Sequence, residues 1–373
     1  MTIYLVIFVA LSFSALFERK KEYNIESKAG HIIINSWNVK VFLFAVVIVV
    51  MAGIRWEIGT DWDSFLSDFQ FMKVSSWSAV NSSIYGLTYG KGYVLMTYLF
   101  AKYIGDYSLY LTFQAVVIVS CVYPVIYEHS KYPAMSFLGL FCYTFGYAFA
   151  VPRSGIAMAI CYLAYDAFSE KKYAKTGVLI LIATMFHNTA IIFALIFFLG
   201  RIKLTVPQVT AIGLISVALS FFARPILLRI ASLPFMPLSY SMRISIYFME
   251  DVDFGGVGGL VRIITRGFVV VLVFMYLWKR RDEEKINLLV NMYLLATAIY
   301  IFASNISEVF MRMAYNFEDV SQFIIFSECL ASTKNKDNNV ILRIVMIVFF
   351  AAKMFARLIG NELFVPFRTI FGM

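Results

Sequence analysis

The sequence predicts an all-α polytopic integral membrane protein, with roughly 10–13 transmembrane or re-entrant helices in one bundle around an outer-face cavity. Three observations predict it. Of the 373 residues, 61% are hydrophobic and 15% charged, whereas a soluble chain is about half apolar and a quarter charged. Apolar runs recur along almost the whole length. The charged residues gather in short segments between those runs. The chain, 1–373, reads as a single membrane domain, with 55–91 and 223–259 as outer-face loops.

In order, the apolar runs are 2–17, 40–54, 92–104, 107–127, 134–150, 154–169, 176–199, 206–222, 260–278, 287–303 and 340–356, with a weaker run at 318–331. A spanning helix needs about 20 apolar residues, so the shorter runs predict tilts, buried polar ends or re-entrant pieces. The first run has no basic start, and Arg19, Lys20 and Lys21 follow it. That order predicts a retained span with its N-terminus outside. Run 40–54 then ends outside at Arg55. Between 91 and 133, either 92–104 is re-entrant or a crossing lies within 65–90, because two full crossings there would invert Arg153. Run 134–150 goes outward and 154–169 returns. Run 176–199 carries "FHNT" at its middle. As a hairpin of two short helices it puts His187 at the outer tip. As one span it puts His187 at mid-depth and inverts every later loop. The last crossings alternate if 318–331 crosses despite Glu328.

Short loops rich in Lys and Arg stay cytoplasmic. That rule places 18–40, "EKKYAK" (170–175), "KRRDEEK" (279–285) and "KNKD" (334–337) inside, and it favours the hairpin for 176–199. The net charge of +9 therefore reports topology and gives no reason to expect nucleic acid. Cys121, Cys142, Cys161 and Cys329 lie in apolar stretches without CxxC spacing and read as buried thiols. Three histidines without HExxH give no reason to expect a metal.

The two cations divide unequally. Lysines fall mostly inside, while Arg55, Arg153, Arg224, Arg229, Arg243, Arg312, Arg357 and Arg368 fall on the predicted outer side. Arg262 and Arg266 lie one turn apart in the outer part of a span. Arginine grips phosphate or carboxylate with a planar fork of donors, so an anionic ligand on the outer face would account for this set.

Four constellations carry chemistry. In "GIRWEIGTDWDSF" the tryptophans suit a headgroup belt, but Arg55 ends a span on the disfavoured side. Gly59-Thr60-Asp61 reads as a turn or helix N-cap that aims Asp61. In "AFAVPRSGIAMAI", Pro152 breaks one helix and Arg153 opens the next, whose free backbone N–H groups favour anions. The plain alternative is an interhelical turn with a snorkelling Arg. In "IATMFHNTAIIF", His187 is either a satisfied core histidine or a group suited to general base work. In "SNISEVFMRMAYNFED", Glu308 and Arg312 stand at i, i+4, with Tyr315 on the same face; the pair is either an exposed helical ion pair or faces a cavity. "NELFVPFRTIFG" (361–372) is amphipathic and is predicted to lie along the outer interface.

Those stretches resemble one bacterial family. "GIRWEIGTDWDSF" is similar to the pattern R-x-x-x-G-T-D-x-x-x-Y. "VPRSGIAMAI" followed by "EKKYAKTGVLILIATMFHNTAIIF" resembles an Arg-led helix, a basic loop and an I-A-x-x-F-H-x-S/T ending. "SEVFMRMAYNFE" resembles a later R-x-x-x-Y-F element, and "VPF" a closing P-Y. Order and spacing resemble the EpsG-like family of Wzy-type polysaccharide polymerases from about residue 40 onward. Phe65 stands where the family usually has Tyr, Ser154 where Gln commonly follows the Arg, and Asn316–Phe317 loosens the third motif.

The resemblance implies a glycosyltransferase of the bacterial plasma (inner) membrane, active toward the periplasm or outside. It would join oligosaccharide repeat units carried on undecaprenyl diphosphate, for O-antigen or another exopolysaccharide. No nucleotide sugar or cofactor is implied, and a chain-length regulator is the one protein partner it suggests. Arg55, Arg153 and Arg312 are then candidates for the diphosphate. His187, Asp61 and Glu308, in that order, are candidates for the general base. Trp62 and Tyr315 are candidate acceptor contacts. Rival readings are a flippase of lipid-linked glycans, which usually shows two matched halves, and another polyprenyl-lipid-dependent glycosyltransferase or an acyltransferase.

Overall fold

A computed structural model describes residues 2–21, 36–59, 61–233, 257–305, 308–359 and 361–372. Among these the regular structure is helical, and the β-bridges are isolated ones, Arg55 with Thr369 and Thr369 with Gly372. The fold is that of an all-α polytopic membrane protein. Contacts divide the chain into two compact units, Met1–Ile191 with Phe326–Met373, and Ile192–Ile325.

The first unit begins with α1 (Thr2–Phe17) and α2 (Ser36–Ile54). Next come α3 (Trp62–Val74), α4 (Trp77–Ser82), α5 (Ile84–Thr88) and α6 (Lys91–Tyr103). The expected outer loop 55–91 is therefore built largely of helix. At about 1.5 Å per residue the 13-residue helices α3 and α6 reach ~20 Å, short of a ~30 Å hydrocarbon core. Neither reaches across alone, which suits re-entrant pieces. Then follow α7 (Tyr107–His129), α8 (Pro133–Ala150), α9 (Pro152–Ser169) and α10 (Tyr173–Phe186).

The second unit holds α11 (Ile196–Leu199), α12 (Val206–Ala231), α13 (Val257–Leu272), α14 (Glu284–Ala303) and most of α15 (Glu308–Ala331); α16 (Lys336–Leu358) belongs to the first unit. Helices α7, α12, α14 and α16 are long and apolar enough to cross a membrane. Helix α12 outruns its predicted end at 222 and takes in Arg224 and Arg229. The predicted outer loop thus starts later, because "RPILLRIA" is apolar enough to continue the helix. The rest of that loop, with Arg243, lies outside the described residues for 234–256. All four cysteines are free thiols, three buried and Cys121 half-buried.

Charged side chains close helix ends in the first unit. A helix leaves its first four N–H and last four C=O groups without intrahelical partners. Glu18 accepts from Ala134 N–H (2.8 Å) and Met135 N–H (3.4 Å) at the start of α8. Arg343 donates to the last carbonyls of α1, Ala15 at 2.7 Å and Leu16 at 3.1 Å. Bonds from a guanidinium, as those of Arg343, contribute about 1.5–3 kcal/mol each. Glu328, inside the weak run 318–331, is buried and meets Lys131 at 3.2 Å.

In the second unit a polar knot ties the segment after α11 to the start of α14. Arg281 donates to the Oδ1 atoms of Asn287 and Asn291 at 2.8 Å each and also to the carbonyl of Leu204. The amides of Asn287 and Asn291 both donate to the carbonyl of Ile202.

Candidate anion-handling site

Arg55 follows directly on α2 and is 6% exposed. Its place is set by the C-terminal segment, residues 361–372, which forms no regular helix. Residues 361–372 are turns and extended backbone strapped to 54–59. Trp56 N–H donates to the Arg368 carbonyl (3.0 Å), Ile370 N–H to the Ile54 carbonyl (2.9 Å), and Gly59 N–H to the Leu363 carbonyl (3.1 Å). Tyr4 hydroxyl donates to the Phe364 carbonyl at 3.1 Å, and Arg368 meets Glu57 at 3.0 Å. The physical reason is the end of α2: its last carbonyl, Ile54, finds a donor in the strap, and the N–H groups of Trp56 and Gly59 beyond it find acceptors there. Gly59 has φ +114°, a left-handed conformation that suits glycine. Burial pulls the Arg55 pKa down to about 10, so the group stays charged at neutral pH. A small apolar cleft is lined by Tyr4, Met354, Arg357 and Phe364; its lining includes none of the predicted site residues.

Asp61 is the N-cap residue of α3, yet its side chain makes no capping hydrogen bond. Thr60 lies outside the described residues. Trp62 is 5% exposed, in edge contact with Trp56 (5.3 Å) and Tyr107 (5.2 Å). A headgroup belt is therefore the wrong description of Trp62: α3 turns its apolar face, Trp62, Phe65, Phe69 and Met72, into an aromatic core. The Trp62 indole nitrogen is buried without a hydrogen-bond partner.

Arg153 sits one residue after Pro152, which opens α9 as the sequence predicts. Its guanidinium carbon lies 3.8 Å from the Tyr89 ring centroid and 5.6 Å from that of Phe65. Phe65 is the position where the resembled pattern has Tyr. Tyr89 in turn donates its hydroxyl to Asp68 Oδ2 at 3.0 Å. Asp68, on α3, is 4% exposed. Burial raises its pKa, opposed by hydrogen bonds from Tyr89 and Tyr85 and then by the Arg153 charge. The Nε of Arg153 is buried and has no hydrogen-bond partner. A buried donor left unmade costs about 1–3 kcal/mol or more for a charged group, and such exceptions ask for a ligand or a function.

His187 ends α10 and breaks the apolar run, with backbone in the extended region. Its Nδ1 lies 2.6 Å from the Thr189 hydroxyl. A 3-10 helix, Asn188–Leu195, follows. The break matches the reading of 176–199 as two short helices. The turn is packed closely: a Cβ on Gly90 would stand 2.2 Å from the Met185 carbonyl oxygen. Gly90 is the neighbour of Tyr89, so the first unit gathers the Arg153 platform and the His187 turn around residues 89–90. Tyr93 extends the group, since it feels the charges of both Arg153 and Arg55.

The second unit holds the remaining candidates. Arg312 and Tyr315 are half-buried on α15; the side chain of Glu308 lies outside the described residues. One turn further, Glu318 is buried and paired with Arg266 at 2.6 Å. Arg266 lies 3.3 Å over the Tyr300 ring and 5.9 Å from that of Tyr315. Among the described residues no three His, Cys, Asp or Glu side chains gather as a metal site needs.

Sequence reasoning missed Asp68, Tyr89, Glu318 and the strap. Asp68 left a readable signal, an acid three residues after Phe65 on the apolar face of α3. Tyr89 left none, because it is one of 23 tyrosines and only its contact with Arg153 singles it out.

No curated protein and no solved structure matches this chain. A family model, that of the EpsG family, matches residues 38–369. These residues hold the resembled motifs, from Arg55 to the closing "VPF" at 365–367, and the family is associated with polysaccharide polymerases. The chain belongs to the EpsG family.

Proposed function

We propose that the protein is a Wzy-type polymerase of the bacterial plasma membrane, joining undecaprenyl-diphosphate-linked oligosaccharide repeat units on its outer face. The observation that carries this reading is Arg153. It is held at a helix start with a buried, unpartnered Nε, and among the described residues no carboxylate takes it in an ion pair. Such a group suits an anion brought from outside.

In the proposed reaction, a hydroxyl of the acceptor unit attacks the anomeric carbon of the growing glycan. A new C–O bond forms as the bond to the diphosphate breaks, and undecaprenyl diphosphate leaves with the electron pair. Arg153 and Arg55 bind the diphosphate and stabilise charge as it develops, and Arg312 is assigned the same task. His187 takes the proton of the attacking hydroxyl. With Nδ1 donating to Thr189, Nε2 carries the lone pair that a base needs. Asp61 and Glu308 are the next candidates. No metal or nucleotide sugar takes part.

The test incubates purified protein with lipid-linked repeat units and no nucleotide sugar. A ladder of lengthened glycans is expected. Arg153→Ala should fold, by its melting profile, and abolish lengthening. Translocation without new glycosidic bonds sinks the polymerase reading in favour of a flippase, and a full ladder from Arg153→Ala sinks the assignment of Arg153.

A further inference from the structure

An arginine and a carboxylate on packed helices can meet directly, as Arg266 and Glu318 do at 2.6 Å. A direct bidentate pair uses up the fork of the arginine. Around Arg153 the arrangement differs. Tyr89 stands between cation and carboxylate, offering its ring face to the guanidinium at 3.8 Å and its hydroxyl to Asp68 at 3.0 Å. A ring face attracts a cation without taking its N–H donors. Asp68 fixes the rotation of that ring by accepting from its hydroxyl. The platform is rigid: Tyr89 packs against Tyr85 (5.8 Å) and Tyr93 (6.2 Å). The Phe65 ring lies 5.6 Å from the guanidinium carbon.

We propose that Tyr89 and Asp68 are positioning residues for Arg153, holding its guanidinium in place while leaving its donor fork free for a diphosphate. Asp68 acts through Tyr89, and Tyr89 acts through Arg153. Neither residue belongs to the resembled motifs or was a candidate from the sequence. The proposal rests on the diphosphate reading of Arg153.

The experiment uses the full-length protein in nanodiscs and titrates inorganic diphosphate by calorimetry, with chain lengthening and melting temperature measured alongside. Tyr89→Leu removes ring and hydroxyl and should weaken binding by about tenfold or more, as a lost desolvated cation–π contact does. Tyr89→Phe keeps the ring, and Asp68→Asn keeps the shape of the acceptor; each should weaken binding by roughly threefold, as a lost exchangeable hydrogen bond does. The double variant Asp68→Asn/Tyr89→Phe should be no worse than the poorer single variant. In an Arg153→Ala background none of these changes should have a further effect. A purely structural role would instead lower melting temperature and binding in both backgrounds alike.

The arms separate the two claims. Binding that depends on Arg153 but is unchanged in Tyr89→Leu overturns the positioning role alone. Binding that ignores Arg153 overturns both that role and the diphosphate reading. An Asp68→Asn effect that persists in full in Arg153→Ala overturns the chain of action through Tyr89. If Tyr89→Leu does not fold, Tyr89→Phe and Asp68→Asn carry the test on the same criteria.

Discussion

Replacing Ile370 with proline tests whether the strap holds Arg55. Proline has no backbone N–H, so Ile370→Pro removes the 2.9 Å bond to the Ile54 carbonyl, the last residue of α2. The net loss is about 1 kcal/mol if water replaces the donor, and up to ~3 kcal/mol if the carbonyl stays buried and unmet. That free energy shifts the fastened-to-open equilibrium of the strap by about 5- to 150-fold. The bond lies in the strap that pairs Thr369 with Arg55, so the loss falls on the placement of that arginine. Lengthening of lipid-linked units, read as a gel ladder against time, should slow by up to that factor, in step with the fastened fraction. Limited proteolysis should cut the tail sooner, with the global melting temperature little changed. Arg368→Ala is the control. It deletes a half-exposed pair with Glu57, worth about 0–1 kcal/mol, and leaves the backbone carbonyl that Trp56 uses. It should slow lengthening by less than about fivefold. Lengthening at the wild-type rate by an Ile370→Pro protein whose tail is readily cut would refute the link between strap and Arg55.

Three further outcomes are expected. Gly90→Ala places a Cβ 2.2 Å from the Met185 carbonyl, and overpacking costs about 1–3 kcal/mol or more; a melting temperature equal to wild type would show that the His187 turn is not packed this way. Arg312→Lys keeps the charge but loses the fork, so lengthening should fall by about tenfold or more, and an unaltered rate argues against bidentate binding there. Burial raises Glu18 to about 8, against the pull of the Ala134 and Met135 N–H groups and Arg343. A carboxyl raised in the folded state binds more protons than the unfolded chain, so its stabilisation is full below its ordinary 4.5 and is lost as pH rises to about 8. Melting of Glu18→Gln should therefore fall less steeply than wild type across that window, and parallel profiles would contradict the assignment.

The sequence by itself determined the class of fold and the chemistry to look for. Apolar runs at near-spanning length leave little choice but helices, because a backbone in lipid must satisfy its own hydrogen bonds. Pro152 dictated the helix start that carries Arg153, and "FHNT" marked the break at His187. These are local effects, written in neighbouring residues. The partners of the arginines are not local. Arg55 is held by residues more than 300 positions away in the chain, and a segment with an amphipathic pattern became a strap because residues 54–59 offered it one carbonyl and two N–H groups to pair with. Asp68 and Tyr89, 21 residues apart, meet only because α3 and α6 pack side by side on the aromatic core. Trp62 looked interfacial from its neighbours and became core for the same reason. Periodicity tells which face of a helix is buried; which side chain meets it there depends on long-range packing, and only the tertiary structure decided that.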